Sequence, residues 1–146
     1  MNARQTYLVQ TDTTAGFVSQ DLCALNRLKG RKDTQPCLKT VFTCKALIWI
    51  ARVPRAYKRK IRKDKNHTFL YPNGEACRLV KDRRHGRFLK DFGWMYSTSA
   101  NATGKTFERE YATEKVAIIV EDKEGFHEAK ASTLMKLGRA RKRRLR

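Results

Sequence analysis

Three short polar stretches carry residue types suited to holding an anion. Residues 10–16 (Gln-Thr-Asp-Thr-Thr-Ala-Gly) and 97–104 (Ser-Thr-Ser-Ala-Asn-Ala-Thr-Gly) each gather hydroxyls and end in glycine, and Lys29-Gly30-Arg31 sets two cations one residue apart. Hydroxyl and backbone N–H groups that converge on a loop suit phosphate or a nucleotide, and paired cations add charge-assisted hydrogen bonds. Taken singly, each loop is equally well an ordinary turn that satisfies its own backbone, and the basic triplet equally well a helix end that complements the helix dipole. His67, His85 and His127 stand alone, without the spacing of a metal or catalytic pair, and read as surface or loop residues. Cys23, Cys37, Cys44 and Cys77 form no C-x-x-C pair and read as reduced thiols, mostly in the core.

The elements that must position these stretches follow from periodicity and turn residues. Tyr7-Leu8-Val9 predicts a strand feeding the first polar loop, closed by Gly16. A helix follows, capped by Ser19, with Leu22, Leu25 and Leu28 on one face and Gly30 as a left-handed stop. Residues 36–42 predict a second strand, 46–50 a short helix and 54–65 a basic helix. Residues 67–71 and 75–80, joined by Pro72-Asn73-Gly74, predict a hairpin. A helix over 84–92 stopped by Gly93, a strand at Trp94-Met95-Tyr96 entering the second polar loop, a helix over 107–115, and strands at 116–120 and 132–137 complete the series. Strands and helices alternate without repeats, so the expected fold is α/β, a single domain on a twisted, mostly mixed or parallel sheet with flanking helices. We expect the domain over residues 1–138 and a basic tail over 139–146. Trp49 and Trp94 fall in apolar elements and read as core.

Lys and Arg number 33 against 14 acidic residues, a formal charge of +19, while 40% of the chain is hydrophobic. That much apolar material predicts a folded chain, and that much charge calls for a polyanion. No stretch approaches the ~18 uninterrupted apolar residues of a membrane helix, so the reading is of a cytoplasmic protein with no membrane partner. The Asn66-His67-Thr68 and Asn101-Ala102-Thr103 glycosylation patterns are set aside on the same ground.

Order and spacing then separate the readings. T-D-T-x-x-G from Thr11, a helix ending K-G-R, Gln35-Pro36, Arg78, S-T-S-A-N-x-x-G and Ser132-Thr133 follow one another along the chain. This series resembles the YrdC/Sua5 family of threonylcarbamoyl-AMP synthases, whose K-x-R falls on Lys29 and Arg31 and whose S-x-N falls on Ser99 and Asn101. The resemblance runs from Thr11 to about Leu137. It departs from the family at Ala15, where an aromatic is usual, at Val80, where a proline is usual, and before Thr68, where only the last residue of a P-G-P-x-T segment remains.

The resemblance implies a YrdC-like fold with a basic central cleft, and synthesis of threonylcarbamoyl-AMP from ATP, L-threonine and bicarbonate with release of pyrophosphate. The product serves threonylcarbamoyladenosine modification of tRNA, in company with a transferase complex. It gives Lys29 and Arg31 the catalytic charge, and Thr11, Thr13, Arg78, Ser99, Asn101 and Ser132 the nucleotide and substrate. Mg²⁺ would arrive with the triphosphate, and no protein ligand for a metal is expected. Separately, Arg55, Lys58, Arg59, Arg62, Arg83, Arg84, Arg141, Arg143 and Arg144 belong to three basic clusters that favour RNA contact over mere solvated faces. Two alternatives stand beside the synthase: a non-catalytic RNA-binding protein on the same fold, and a carbamoyl-transfer enzyme of related fold, which Ala15 keeps open.

Overall fold

The computed structural model describes residues 1–65, 67–139 and 141–146, so Asn66 of the first glycosylation pattern and Ala140 of the expected tail lie outside the described residues. In chain order the elements are β1 (Tyr7–Gln10), β2 (Ala15–Ser19), α1 (Leu22–Leu28), β3 (Leu38–Val41), α2 (Cys44–Ile50), a 3-10 turn (Arg55–Tyr57), α3 (Lys58–Lys63), β4 (His67–Leu70), β5 (Ala76–Leu79), α4 (Arg83–Lys90), β6 (Trp94–Ser99), α5 (Arg109–Glu114), β7 (Ile118–Val120), β8 (Thr133–Leu137) and β9 (Lys142–Arg144). This is the expected α/β arrangement of mixed strands with flanking helices. It divides into two compact units, the first of residues 1–37 and 95–130, the second of 38–94 and 131–146.

In the first unit the strands lie in the order β7, β1, β2, β6, with β1 parallel to β7 and antiparallel to β2, and β2 antiparallel to β6. All five residues of β2 are buried, as befits a strand paired on both sides. Leu8, Ala15, Phe17, Leu25, Ala100 and Ala112 form its core. Gly16 lies inside β2 and does not close the preceding loop: a Cβ there would stand 2.7 Å from Thr11 Cγ2 and 3.2 Å from the Thr98 carbonyl oxygen, so only glycine lets these segments come so close. Ser19 likewise ends β2, and the cap of α1 is Asp21, whose carboxylate accepts from Ala24 N at 2.9 Å.

In the second unit the order is β3, β5, β4, β8, β9, with β3 parallel to β5, β4 antiparallel to β5, β4 parallel to β8, and β8 antiparallel to β9. Its core joins Val41, Leu47, Tyr57, Ile61, Phe69, Cys77, Leu79 and Leu137. The hairpin at 67–80 forms as expected, with Gly74 at φ +85° in its turn. The expected basic helix over 54–65 is a 3-10 turn followed by the shorter α3. Within the expected basic tail, residues 142–144 form the edge strand β9.

Several burial expectations are overturned. Trp49 is 84% exposed, because a seven-residue helix lying on a sheet buries one stripe, here Leu47, and its neighbours turn outward. His85 is buried on the inner face of α4. Of the cysteines only Cys77 is buried, and Cys23 and Cys44 are exposed.

Candidate functional site

The K-G-R triplet is positioned by the way α1 ends. Gly30 adopts φ +64°, Gly30 N donates to Arg27 O at 3.0 Å, and Arg31 N donates to Asn26 O at 2.8 Å, the paired bonds of a Schellman stop. The chain therefore reverses within two residues and aims Lys29 and Arg31 back toward β6. Asn26, fully buried, fixes the segment beyond: its Nδ2 donates to the Asp33 and Gln35 carbonyls at 2.9 and 2.8 Å.

Lys29 is buried, and its ammonium reaches across 70 residues of sequence to the end of β6. Nζ donates to Ser99 O at 2.9 Å, to Asn101 O, and to Asn101 Oδ1 at 3.5 Å. Arg31 Nη1 donates to Thr98 Oγ1 at 3.4 Å. Asn101 Nδ2 in turn donates to the Lys105 carbonyl, so the loop after β6 is closed on itself and pinned to α1. Burial first, and then the neighbouring Arg31 charge, pull the Lys29 ammonium down to about 8. Burial pushes the nearby Cys37 thiol up, opposed by Arg31.

The first polar loop emerges at the same end of this sheet. β6 runs antiparallel to β2 with Ser99 opposite Gly16, and β1 delivers residues 11–14 beside them, so the carboxyl ends of β1, β6 and the parallel β7 point one way. Ligands of open α/β sheets gather at such ends. Thr11 is buried and spends its hydroxyl on the turn, donating to Thr14 O at 2.6 Å and accepting from Thr13 N and Thr14 N at 3.3 Å. Thr13 O accepts from Ala129 N at 2.6 Å, which ties the turn to the segment after β7. Thr11 thus shapes the loop, while the Ser99 side chain is exposed.

A second constellation lies within the second unit. Buried Arg78 donates from Nε to Thr68 Oγ1 at 3.0 Å and from Nη2 to Ser132 Oγ, and the two hydroxyls are 3.0 Å apart. Alternation explains why: Cys77 and Leu79 of β5 face the apolar core, so Arg78 faces the other side. Three residues that sequence placed far apart, Thr68, Arg78 and Ser132, are brought together.

Sequence reasoning missed Thr98, Cys37 and Asn26. Asn26 alone carried a signal, a polar residue four positions after Leu22 on the apolar face of α1, where a buried amide must find partners. Among the described residues no cluster of His, Cys, Asp or Glu is placed to hold a metal ion, and no helix is long and apolar enough to cross a membrane. The nine RNA-contact candidates are all exposed and all lie in the second unit, on the 3-10 turn, α3, the start of α4 and the β9 edge.

No family model matches the chain, and no curated protein matches it in sequence. Solved structures do share its fold. P. abyssi Sua5 superposes with a TM-score of 0.77 at 16% identity, over 97% of this chain and 49% of that one, and a P. abyssi Sua5 structure complexed with L-threonine gives 0.72 at 16%. Full-length HypF, in a phosphate- and nucleotide-bound form, gives 0.77 at 12% identity over 97% of this chain and 26% of its own. A protein from Methanobacterium thermoautotrophicum gives 0.67 at 19% identity, with 97% and 79% covered. The chain spans about half the length of the Sua5 structures it matches. At these identities the likeness is one of fold.

Proposed function

We propose that the chain is an L-threonylcarbamoyl-AMP synthase, or the corresponding domain of one, acting for tRNA modification. The observation that carries the reading is the meeting of Lys29 and Arg31 with the Thr98 to Asn101 segment, at the end of the sheet where the Thr11 and Thr13 turn also emerges. The fold shared with a threonine-bound Sua5 and a nucleotide-bound HypF supports it.

In this reading the threonine amino nitrogen bonds to the bicarbonate carbon with loss of water. A carbamate oxygen then attacks the α-phosphorus of ATP, the bond to the bridging oxygen breaks, and pyrophosphate leaves. No protein nucleophile is needed, since positioning and stabilisation of developing charge suffice. Arg31 and Lys29 supply cationic charge, Lys29 also holding the Ser99 and Asn101 loop in place. Ser99 and Asn101 bind the nucleotide or intermediate, Thr13 orients threonine on the turn that Thr11 shapes, and Arg78 with Ser132 is retained for nucleotide binding. The triphosphate would carry Mg²⁺ in, neutralising part of its charge.

The test is pyrophosphate release by the purified chain with and without L-threonine and bicarbonate. Release dependent on both, reduced about 10²-fold or more in Lys29→Ala and Arg31→Ala, is expected for loss of a charge stabiliser. Near-normal rates in both variants would sink the assignment, and no release from wild type would leave a binding protein on this fold.

A further inference from the structure

The segment between β7 and β8 belongs to none of the spaced motifs before Ser132, yet it touches both polar loops. His127 N donates to Gln10 Oε1 at 3.0 Å, where the first loop leaves β1. Ala129 N donates to Thr13 O at 2.6 Å, and Thr14 pairs with Glu128 in an isolated antiparallel bridge, so residues 127–129 run alongside the Thr13 turn. The Glu128 carboxylate reaches the other loop, where its Oε1 accepts from Phe107 N at 2.9 Å. Phe126 lies edge-on to Phe107 with ring centroids 5.8 Å apart, and both rings pack against the core of the first unit. Arg109 stands over the Phe126 ring at 5.5 Å and pairs with Glu121 at 2.6 Å, which anchors the segment at its start.

The loop that follows β6 is therefore held at its two ends by different means. Its near end is fixed by Lys29 and by Ala100 N, which donates to Ala15 O at 2.9 Å. Its far end, Phe107, meets Glu128. A carboxylate on a main-chain N–H makes a charge-assisted bond, roughly twice as strong as a neutral one. The Glu128 side chain is exposed, so the bond adds little to the stability of the fold. What it does set is the distance between the two loops, because one residue is bonded to both.

We propose that Glu128 is a positioning residue for the reaction, holding the Thr13 turn, which orients threonine, at a fixed spacing from the Ser99 to Phe107 loop, which holds the nucleotide. This role rests on the synthase reading. Reacting groups must meet within about 3–3.5 Å, and an error of about 1 Å in their placement costs on the order of 10²-fold in rate. A general base is the competing role for a carboxylate near two substrates. That role asks for an oxygen aimed at substrate, whereas Oε1 is aimed at the Phe107 main chain.

The test compares Glu128→Ala and Glu128→Gln in the full chain by steady-state pyrophosphate release, with amide exchange at Phe107 followed by NMR in the absence of substrates. In Glu128→Ala, kcat should fall about tenfold or more while the KM values for ATP and threonine each stay within about twofold, because each loop keeps its own contacts. Glu128→Gln should restore kcat to within about threefold of wild type, since the amide oxygen still accepts from Phe107 N. Exchange at Phe107 should quicken about tenfold in Glu128→Ala and stay slow in Glu128→Gln. Wild-type kcat or unchanged Phe107 exchange in Glu128→Ala would overturn the proposal. So would a kcat in Glu128→Gln as low as in Glu128→Ala, which would make the carboxylate a base, or a loss confined to KM, which would make it a substrate contact. Wild-type protein that releases no pyrophosphate would defeat the synthase reading and this role with it, whereas the other outcomes concern Glu128 alone.

Discussion

Lys29 is the residue on which most depends. Its ammonium is drawn down to about 8 from 10.5 by burial and by Arg31, yet it donates to the oxygens of Ser99 and Asn101. Because the folded value is the lower one, the unfolded chain holds the proton that the folded chain has lost between about pH 8 and 10.5. Stability contributed at this site therefore rises with pH across that window, and Lys29→Met should abolish that increment in denaturant titrations at pH 8 and 10. Anion affinity runs the other way: binding of ATP should weaken as pH rises through about 8, and Lys29→Arg should hold its affinity to higher pH. An ATP affinity flat from pH 7 to 9.5 would show that this proton is not used. The cations and the S-x-N residues were legible in sequence as a spaced pattern. Their partner Thr98 was not, because a contact spanning 67 residues leaves no local periodicity. Trp49 was misread for a different reason: an apolar run in so short a helix does not say which residue meets the sheet.

At the scale of elements, the site depends on one tight turn and one close approach of the backbone. Gly30 ends α1 at φ +64°, and an alanine there should cost about 1–2 kcal/mol. The denaturant midpoint of Gly30→Ala should fall accordingly, and the KM for ATP should rise as Arg31 loses its setting. Gly16→Ala should cost about 1–3 kcal/mol by pressing on Thr11 and β6. An unchanged midpoint in either variant would contradict the geometry. The stop at Gly30 was legible, since glycine before a basic residue at the end of an apolar stripe is a local signal. The position of Gly16 was not. Its small size reads as a loop closure in sequence, whereas here it serves close packing between strands, which only pairing with β6 reveals. The β9 strand was hidden in the same way, its basic residues showing charge but no alternation.

For the molecule as a whole, charge is uneven: the unit bearing Lys29 is formally neutral, and the second carries all of the net charge. Self-repulsion in the second unit should make stability depend on screening, so Tm should rise as sodium chloride goes from about 20 mM to 500 mM, where the Debye length shrinks several-fold. Replacing Lys142 and Arg144 by alanine should reduce that dependence. A Tm indifferent to salt would mean that the charges are already compensated within the fold.

The most direct measurement is the product itself, by mass spectrometry after incubating the chain with ATP, Mg²⁺, L-threonine and ¹³C-labelled bicarbonate. An AMP adduct containing threonine and the labelled carbon is expected, formed in step with pyrophosphate and lost in Lys29→Ala. Absence of that adduct, whether or not pyrophosphate appears, would rule out synthase activity in this chain.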